Sequence, residues 1–312
     1  MTYPSPQTNP PTEPGLGNKR ARTAWLRWFG TALAVGLLIY LLSQQGWPEI
    51  ALAAGQIAWW RFALAIILVI ISRFAVAGRW HMLMHSAGTG ISPRQSIRLT
   101  FAMLFSSNFL PTTIGGDVVR LAGAIRLGFD QAISLASLVA DRLVGMTGMA
   151  MALPFGIPAF IQHLSSAPTT SLAAFAWLHP LTEKIHHFLQ ETLKALQIWL
   201  KQPKALLGAL GFTWVHMLCT FGIVSLLLSG MGEHISFWPV MGLWSATYFV
   251  TLLPISINGL GVEELVMAFF FVTFGGISQS SGLTLALLMR ILKVLASLPG
   301  ALFIPDIMAG RK

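Results

Sequence analysis

Leu110-Pro111-Thr112-Thr113-Ile114-Gly115-Gly116-Asp117-Val118-Val119-Arg120 lies between apolar segments, breaks a helix and carries an acid and a base. Later in the chain its first half recurs: Leu253-Pro254-Ile255-Ser256-Ile257-Asn258-Gly259, followed by Leu260-Gly261-Val262-Glu263-Glu264. Leu-Pro, two residues, Ile, a small or turn residue and Gly come in the same order. Each copy follows an apolar run and precedes charge. Two broken segments at matching places in two halves of a membrane protein point to a transporter-type site. The competing reading is two ordinary loops that both contain Pro and Gly.

Composition places the chain in a bilayer. Of its 312 residues 54% are hydrophobic and 10% charged, against about 25% charged in a soluble domain. Several apolar stretches approach the roughly 20 residues that span a membrane. The runs are continuous rather than alternating, which argues against a β-barrel. The expected fold is an all-α polytopic membrane protein with six to eight membrane helices, two of them broken or re-entrant, in an inverted repeat. The net charge of +9 falls on residues that flank apolar segments, so it reads as topology and not as nucleic-acid binding. The single Cys219 excludes an intrachain disulfide and a cysteine metal site.

Taken in order, residues 1–22 are Pro-rich and basic and read as a disordered cytoplasmic tail. Residues 23–306 read as one membrane domain, with a repeat half at 57–162, an amphipathic interfacial linker at 181–202 and a second half at 204–305. An uncleaved first helix runs to Leu42, and an outer loop follows at 43–56. The second helix is expected over 57–78, with Arg79, Arg94 and Arg98 beyond it on the inside. Residues 97–110 are too short to cross alone. Basic flanks on both sides make them re-entrant, with one long tilted helix from Ser92 to Leu110 as the competing reading. A helix starts near Gln131, and a poor return helix is expected at 155–178. In the linker, Ile185, Phe188, Leu189, Leu193, Leu196, Trp199 and Leu200 form one helix face and cations the other. Short and long apolar helices are expected at 262–274 and 282–304. Most of the 20 Lys and Arg residues fall in segments that this topology puts inside, which gives cytoplasmic N- and C-termini.

Charges inside a bilayer cost at least about 2.5 kcal/mol each on insertion scales and need partners or a purpose. Asp117, Arg120, Asp141, Arg142, Glu263, Glu264 and Arg290 are the candidate headgroup-binding residues. Arginines would hold a phosphate by paired hydrogen bonds. The other reading is internal pairing that fixes helix packing, such as Arg142 with Asp117 or Glu264 with Arg290. Pro111, Gly115, Gly116, Pro254, Asn258, Gly259 and Gly261 are the expected cavity backbone, because Gly lets backbone N–H groups approach an anion. His81 and His85 stand four apart at a helix end, but the eight histidines show no metal-ligand spacing with carboxylates. No metal or cofactor is expected. Walker, Rossmann and Gly-x-Ser-x-Gly patterns are missing, so the chain is expected not to be an enzyme.

At these residues the sequence resembles the lysylphosphatidylglycerol synthase transmembrane-region family. The likeness is carried by Leu110-Pro111 through Gly115-Gly116-Asp117-Val118-Val119-Arg120, by Ser137 through Asp141-Arg142-Leu143, and by Leu253 through Glu264. It covers about residues 24–305. Asn258 stands where the family usually has Gly, and Glu263-Glu264 where it often has Arg-Glu, so the second break is more acidic than usual. The resemblance implies a bacterial inner-membrane lipid flippase. Its partners would be membrane lipids, anionic or modified, with a lipid-synthesis enzyme as a further possible partner. The chain ends at Lys312, which leaves no room for the aminoacyl-transferase domain of larger relatives. A membrane enzyme acting on lipid or polyprenyl phosphate, and a proton-coupled solute transporter, are the alternatives.

Overall fold

The short helix α1 (Trp47–Gly55) occupies the expected outer loop. Pro48 suits a first helical turn, and Ala51, Leu52, Ala53 and Ala54 are strong helix formers. The apolar run that follows is α2 (Trp59–Ser86), 28 residues long. At 1.5 Å per residue it reaches about 42 Å and outruns a hydrocarbon core of about 30 Å. It continues past 78, so Arg79 lies inside the helix and not in a basic flank. The computed structural model describes residues 47–110, 115–166, 202–252 and 259–308, with Gly36, Ile39 and Tyr40, which are helical. The 1–22 tail, the rest of the first helix and all of the 181–202 linker but Gln202 lie outside the described residues. So do Pro111, Pro254 and Asn258.

Next comes α3 (Pro93–Ser107). Ser92 and Gln95 exchange capping bonds at its start, and Pro93 sits where its missing N–H is no loss. At its end the Asn108 side chain bonds Phe105 O and Ser297 Oγ. After the break, α4 (Gly115–Arg126) runs back along α3. A Cβ on Gly116 would strike Ser107 and Met103, and one on Gly123 would strike Leu99. The contacts run in opposite senses along the two helices, which makes an antiparallel hairpin. Its arms, 15 and 12 residues, are about 22 and 18 Å long, too short to cross. The arms double back on each other, as the re-entrant reading expects, and α3 ends at Ser107, short of Leu110.

Helix α5 (Gln131–Ala152), capped by Asp130 at Ile133 N, passes through a 3-10 turn at Leu153–Gly156 into α6 (Ile157–Ser166). The backbone stays helical at Leu153 and Ile157, so no return helix begins at 155. Pro154 and Pro158 are absorbed at helix junctions, where a missing N–H matters least.

The second set repeats the first. It comprises α7 (Pro203–Gly230), α8 (Phe237–Thr251), α9 (Val262–Thr273) and α10 (Gln279–Ser297). A 3-10 turn at Leu298–Phe303 leads to α11 (Ile304–Met308). Helices α2 and α7 have 28 residues each, α3 and α8 have 15, and α4 and α9 have 12. α2 and α7 form the most extensive helix pair. Gly78 faces Phe212 and Gly222 faces Leu68, so the two helices run antiparallel. The two glycines hold the same place in their helices (59 to 78, 203 to 222). An approximate twofold axis between α2 and α7 therefore relates two halves of opposite sense, as an inverted repeat requires.

Among the described residues four helical runs are long and apolar enough to cross a bilayer: Trp59–Ser86, Gln131–Gln162, Pro203–Gly230 and Gln279–Ile307. The larger apolar core joins α2, α5, α7, α8, α9 and α10, and a second one joins α2 to the α3–α4 hairpin. This is an all-helical, multi-pass membrane protein.

Candidate functional site

The first half gathers its charges behind the α3–α4 hairpin. Arg79 from α2 donates through Nε to Asp141 on α5 at 2.6 Å. Arg120 from α4 bridges Asp141 at 2.9 Å and Asp117 at 3.2 Å. Its guanidinium lies over Trp80, 4.8 Å from the ring centroid, and Trp80 is oriented by Ser137. Asp117 is also held by Arg142, whose Nε and Nη2 both reach Oδ2 at 2.6 Å. All three acidic and basic members of the Arg79–Asp141–Arg120 group are buried. Arg142 keeps about a third of its side chain exposed. Isolated buried ions would be prohibitive; opposite charges with hydrogen bonds make them tolerable.

The second half is arranged at the start of α9. Gly259 and Gly261 have φ of 70° and 78°, a left-handed backbone that suits Gly. The Glu264 carboxylate accepts from the Gly261 N–H at 2.8 Å and pairs with Arg290 on α10. Glu263 pairs with Lys293 and lies 3.7 Å from Arg290. The Lys293 ammonium also sits over Trp244, 5.3 Å from the ring centroid. Negative side chains in the first turn of a helix are favoured by its dipole, and here basic groups of α10 complete the balance.

Between the two networks lies a cavity of about 340 Å³ walled by both halves. Arg79, Asp117, Asp141 and Arg142 line it from one side, and Glu263, Lys293 and Gly259 from the other. Thr213, His216, Trp244, Thr247 and Tyr248 add hydroxyl, imidazole and aromatic surface. His216 is fixed by Ser72, 2.6 Å from its Nδ1. The cavity thus offers cations that already hold carboxylates, and threonine hydroxyls (Thr213, Thr247) whose hydrogens go to Ala209 O and Leu243 O, so that they face the cavity as acceptors. The more open cations are Arg142 and Lys293, one from each half. Such a site can hold a charged or zwitterionic group by charge-assisted hydrogen bonds. Among the described residues no group of three His, Cys, Asp or Glu could hold a metal ion.

Of the predicted residues, Asp117, Asp141, Arg142, Glu263 and Gly259 reach the cavity wall. Arg120, Glu264 and Arg290 stand behind it and pair with wall residues or with each other. Gly115 and Gly116 are buried, and Gly116 serves the close packing of α4 on α3. Gly261 starts α9. The pairs Arg142–Asp117 and Glu264–Arg290, expected on packing grounds, are both present. Arg79, Lys293, Trp244 and His216 are the site residues that the sequence reading left out. Arg79 had a signal: the apolar run resumes after it at Trp80 and continues through Leu83 and Met84.

The sequence finds a counterpart among known protein families. The family model for the lysylphosphatidylglycerol synthase TM region matches residues 27–300. No curated protein matches the chain.

Proposed function

The chain belongs to the lysylphosphatidylglycerol synthase TM region family, and from that premise we propose that it is a lipid flippase. It takes a phospholipid headgroup into the cavity between its halves and carries it across the bilayer. The observation that supports this reading most is the cavity itself: paired charges from both halves, among membrane-spanning helices, with Arg142 and Lys293 the most open. Headgroup phosphate would bind between those two cations, and Asp117 and Glu263 would meet an ammonium or aminoacyl group. The acyl chains stay in lipid. The two broken hairpins would open in turn to opposite leaflets, as inverted repeats do.

In this proposal the lipid is moved without chemical change and the substrate is an anionic or aminoacyl-modified phospholipid. The protein works in a bacterial inner membrane with both termini in the cytoplasm, and a lipid-synthesis enzyme supplies its substrate. Accessibility of labelled phosphatidylglycerol and its lysyl derivative in proteoliposomes tests this. Protein-dependent quenching from the far leaflet is expected, and it should be lost in Arg142→Ala. A folded parent protein that flips neither lipid would sink the flippase reading.

A further inference from the structure

The ion networks around the central cavity do not balance. In the first half three arginines, Arg79, Arg120 and Arg142, share two carboxylates, Asp117 and Asp141. In the second, Arg290 and Lys293 hold Glu263 and Glu264, and Arg73 of α2 adds its field at Glu263. Among the described residues no further acid lines the cavity; Asp130 and Glu233 are engaged in helix caps. The two breaks, 111–114 and 253–258, contain no ionisable residue. The surplus is positive, and it is set among membrane-spanning helices.

Arg120 shows the surplus most clearly. It is 1% exposed and reaches both aspartates through one nitrogen, Nη2. Its Nε and Nη1 are buried with no hydrogen-bond partner among the described residues. Without Arg120 the network would be two one-to-one pairs, Arg79 with Asp141 and Arg142 with Asp117. The second half has Met267 at this place (115 to 120, 262 to 267), so the fold does not require the cation. A buried charge that the fold does not require is expensive and needs a purpose. A counter-charge in the adjoining cavity supplies one.

The neutral surface of the cavity narrows the choice. Thr213, Thr247 and Thr251 line it, and their hydroxyl hydrogens go to Ala209 O, Leu243 O and Tyr248 O. All three face the cavity as acceptors. Phosphate oxygens have no hydrogen to give them; the hydroxyls of a polyol headgroup do. An ammonium could also donate, but it would add a cation where cations are in excess. Asp117 and Glu263 are each already held by two.

We infer that the cavity selects a net-anionic phosphodiester headgroup with free hydroxyls, as in phosphatidylglycerol, and rejects its lysyl derivative. This rests on the lipid reading of the central cavity and chooses between the two classes of lipid admitted there. Arg120 stands behind the wall and acts as a positioning residue for charge: it touches no headgroup and sets the sign that the wall presents.

The test uses the full chain in proteoliposomes with phosphatidylglycerol, phosphatidylethanolamine or lysyl-phosphatidylglycerol, each labelled on an acyl chain. Flipping should be fastest for phosphatidylglycerol and at least about tenfold slower for the lysyl derivative, because like charges brought together cost at least that much. Arg120→Met should close that gap and Arg120→Lys should keep it; a merely structural role would slow all three lipids alike. If Arg120→Met does not fold, the order of lipids in the parent protein still decides. Equal rates, or the lysyl derivative ahead, would overturn the selectivity and keep the flippase. Phosphatidylglycerol retained preferentially by the purified chain, with no lipid flipped, would keep the selectivity and discard translocation. Binding of free glycerophosphoglycerol with none of the lipids retained would assign the phosphodiester to a soluble solute and overturn the lipid.

Discussion

The two halves of this molecule share a backbone plan and one ion pair, and they differ in almost everything else that is charged. Asp117 and Glu264 hold the same place at the start of their helices (115 to 117, 262 to 264), and so do Arg142 and Arg290 (131 to 142, 279 to 290). Both pairs are formed. The buried triad of the first half has no such copy. Arg79, Arg120 and Asp141 correspond to Ile223, Met267 and Met289 (59 to 79, 203 to 223; 115 to 120, 262 to 267; 131 to 141, 279 to 289). All three counterparts are buried in the larger apolar core. Conversely, Glu263 and Lys293 correspond to Gly116 and Gly145, and a Cβ on Gly145 would meet the Arg79 guanidinium. One scaffold therefore accommodates either an ionic or an apolar centre at the same positions. The shared pair belongs to the scaffold, and the unshared charges are what each half adds to the cavity.

The largest effect expected follows from breaking the triad unevenly. Asp141→Ala leaves Arg79 and Arg120 buried together without their common acid. Loss of one partner from a buried ion group costs about 3–5 kcal/mol, so thermal unfolding of the purified variant should show a large drop or no folded protein. Copying the second half into the first, Arg79→Ile with Arg120→Met and Asp141→Met, removes all the charge at once. Apolar replacement of a whole buried group is neutral or stabilising by about 1–4 kcal/mol. This triple variant should melt near the parent and should not flip lipid, because two wall charges are gone. A triple variant as unstable as Asp141→Ala would show that the halves are not interchangeable at these positions.

The same comparison shows what the sequence made legible. The two breaks, the bounds of α9, the start of α5 and the pairs Asp117–Arg142 and Glu264–Arg290 could be read from Leu-Pro, Gly and isolated charges in apolar runs. Such features are local, and each states its own need for a partner. Arg79 was misread because an arginine after some twenty apolar residues looks like the basic flank of a finished helix. The apolar run resuming at Trp80 was the one local sign that the helix continues; the pairing with Asp141, which buries Arg79, is tertiary and could not be read from it. The run through Pro154 and Pro158 was misread as a break because two prolines usually end a helix; a 3-10 turn takes both here. The register of the repeat was also hidden. Beyond Leu-Pro and Gly few residues are shared, and equivalence appears only when helix starts are known.

A middle-sized effect separates the two copies of the shared pair. Arg142 lines the cavity and is the more exposed; Arg290 stands behind the wall against the buried Glu264. Arg290→Ala should therefore act on stability, by about 1–3 kcal/mol for a buried acceptor left short of a donor, seen as a lower melting temperature. Arg142→Ala should melt within about 1 kcal/mol of the parent, its pair being partly exposed, and lose flipping at least about tenfold. If both variants shift melting alike and leave flipping alike, the pairs are purely structural and the two halves do not differ in role.

The smallest effect lies outside the spans, where the halves solve one problem in two ways. The long helix after each hairpin needs an acceptor for its first N–H groups. Asp130 caps α5 with its own carboxylate at Ile133 N. In the equivalent place α10 has Ser278, which caps Ser281 N and borrows its charge: Glu233 accepts from the Ser278 N–H at 3.0 Å and its hydroxyl at 2.7 Å. Partial burial pushes the Glu233 carboxyl up, but the two Ser278 bonds, with smaller help from Ser281 and His234, together outweigh it and hold the group below the usual carboxylate range. A carboxyl lowered by folding stabilises above its unfolded pKa and loses that contribution as pH falls through the folded one. Ser278→Ala should cost about 1 kcal/mol, and Glu233→Gln less, because the acid is mostly solvated. The gap in melting temperature between Glu233→Gln and the parent should be present at neutral pH and close below the ordinary carboxylate range. A gap that persists unchanged in acid would assign the loss to the hydrogen-bond geometry of Ser278, and the borrowed charge would then do nothing that Asp130 does for the other half.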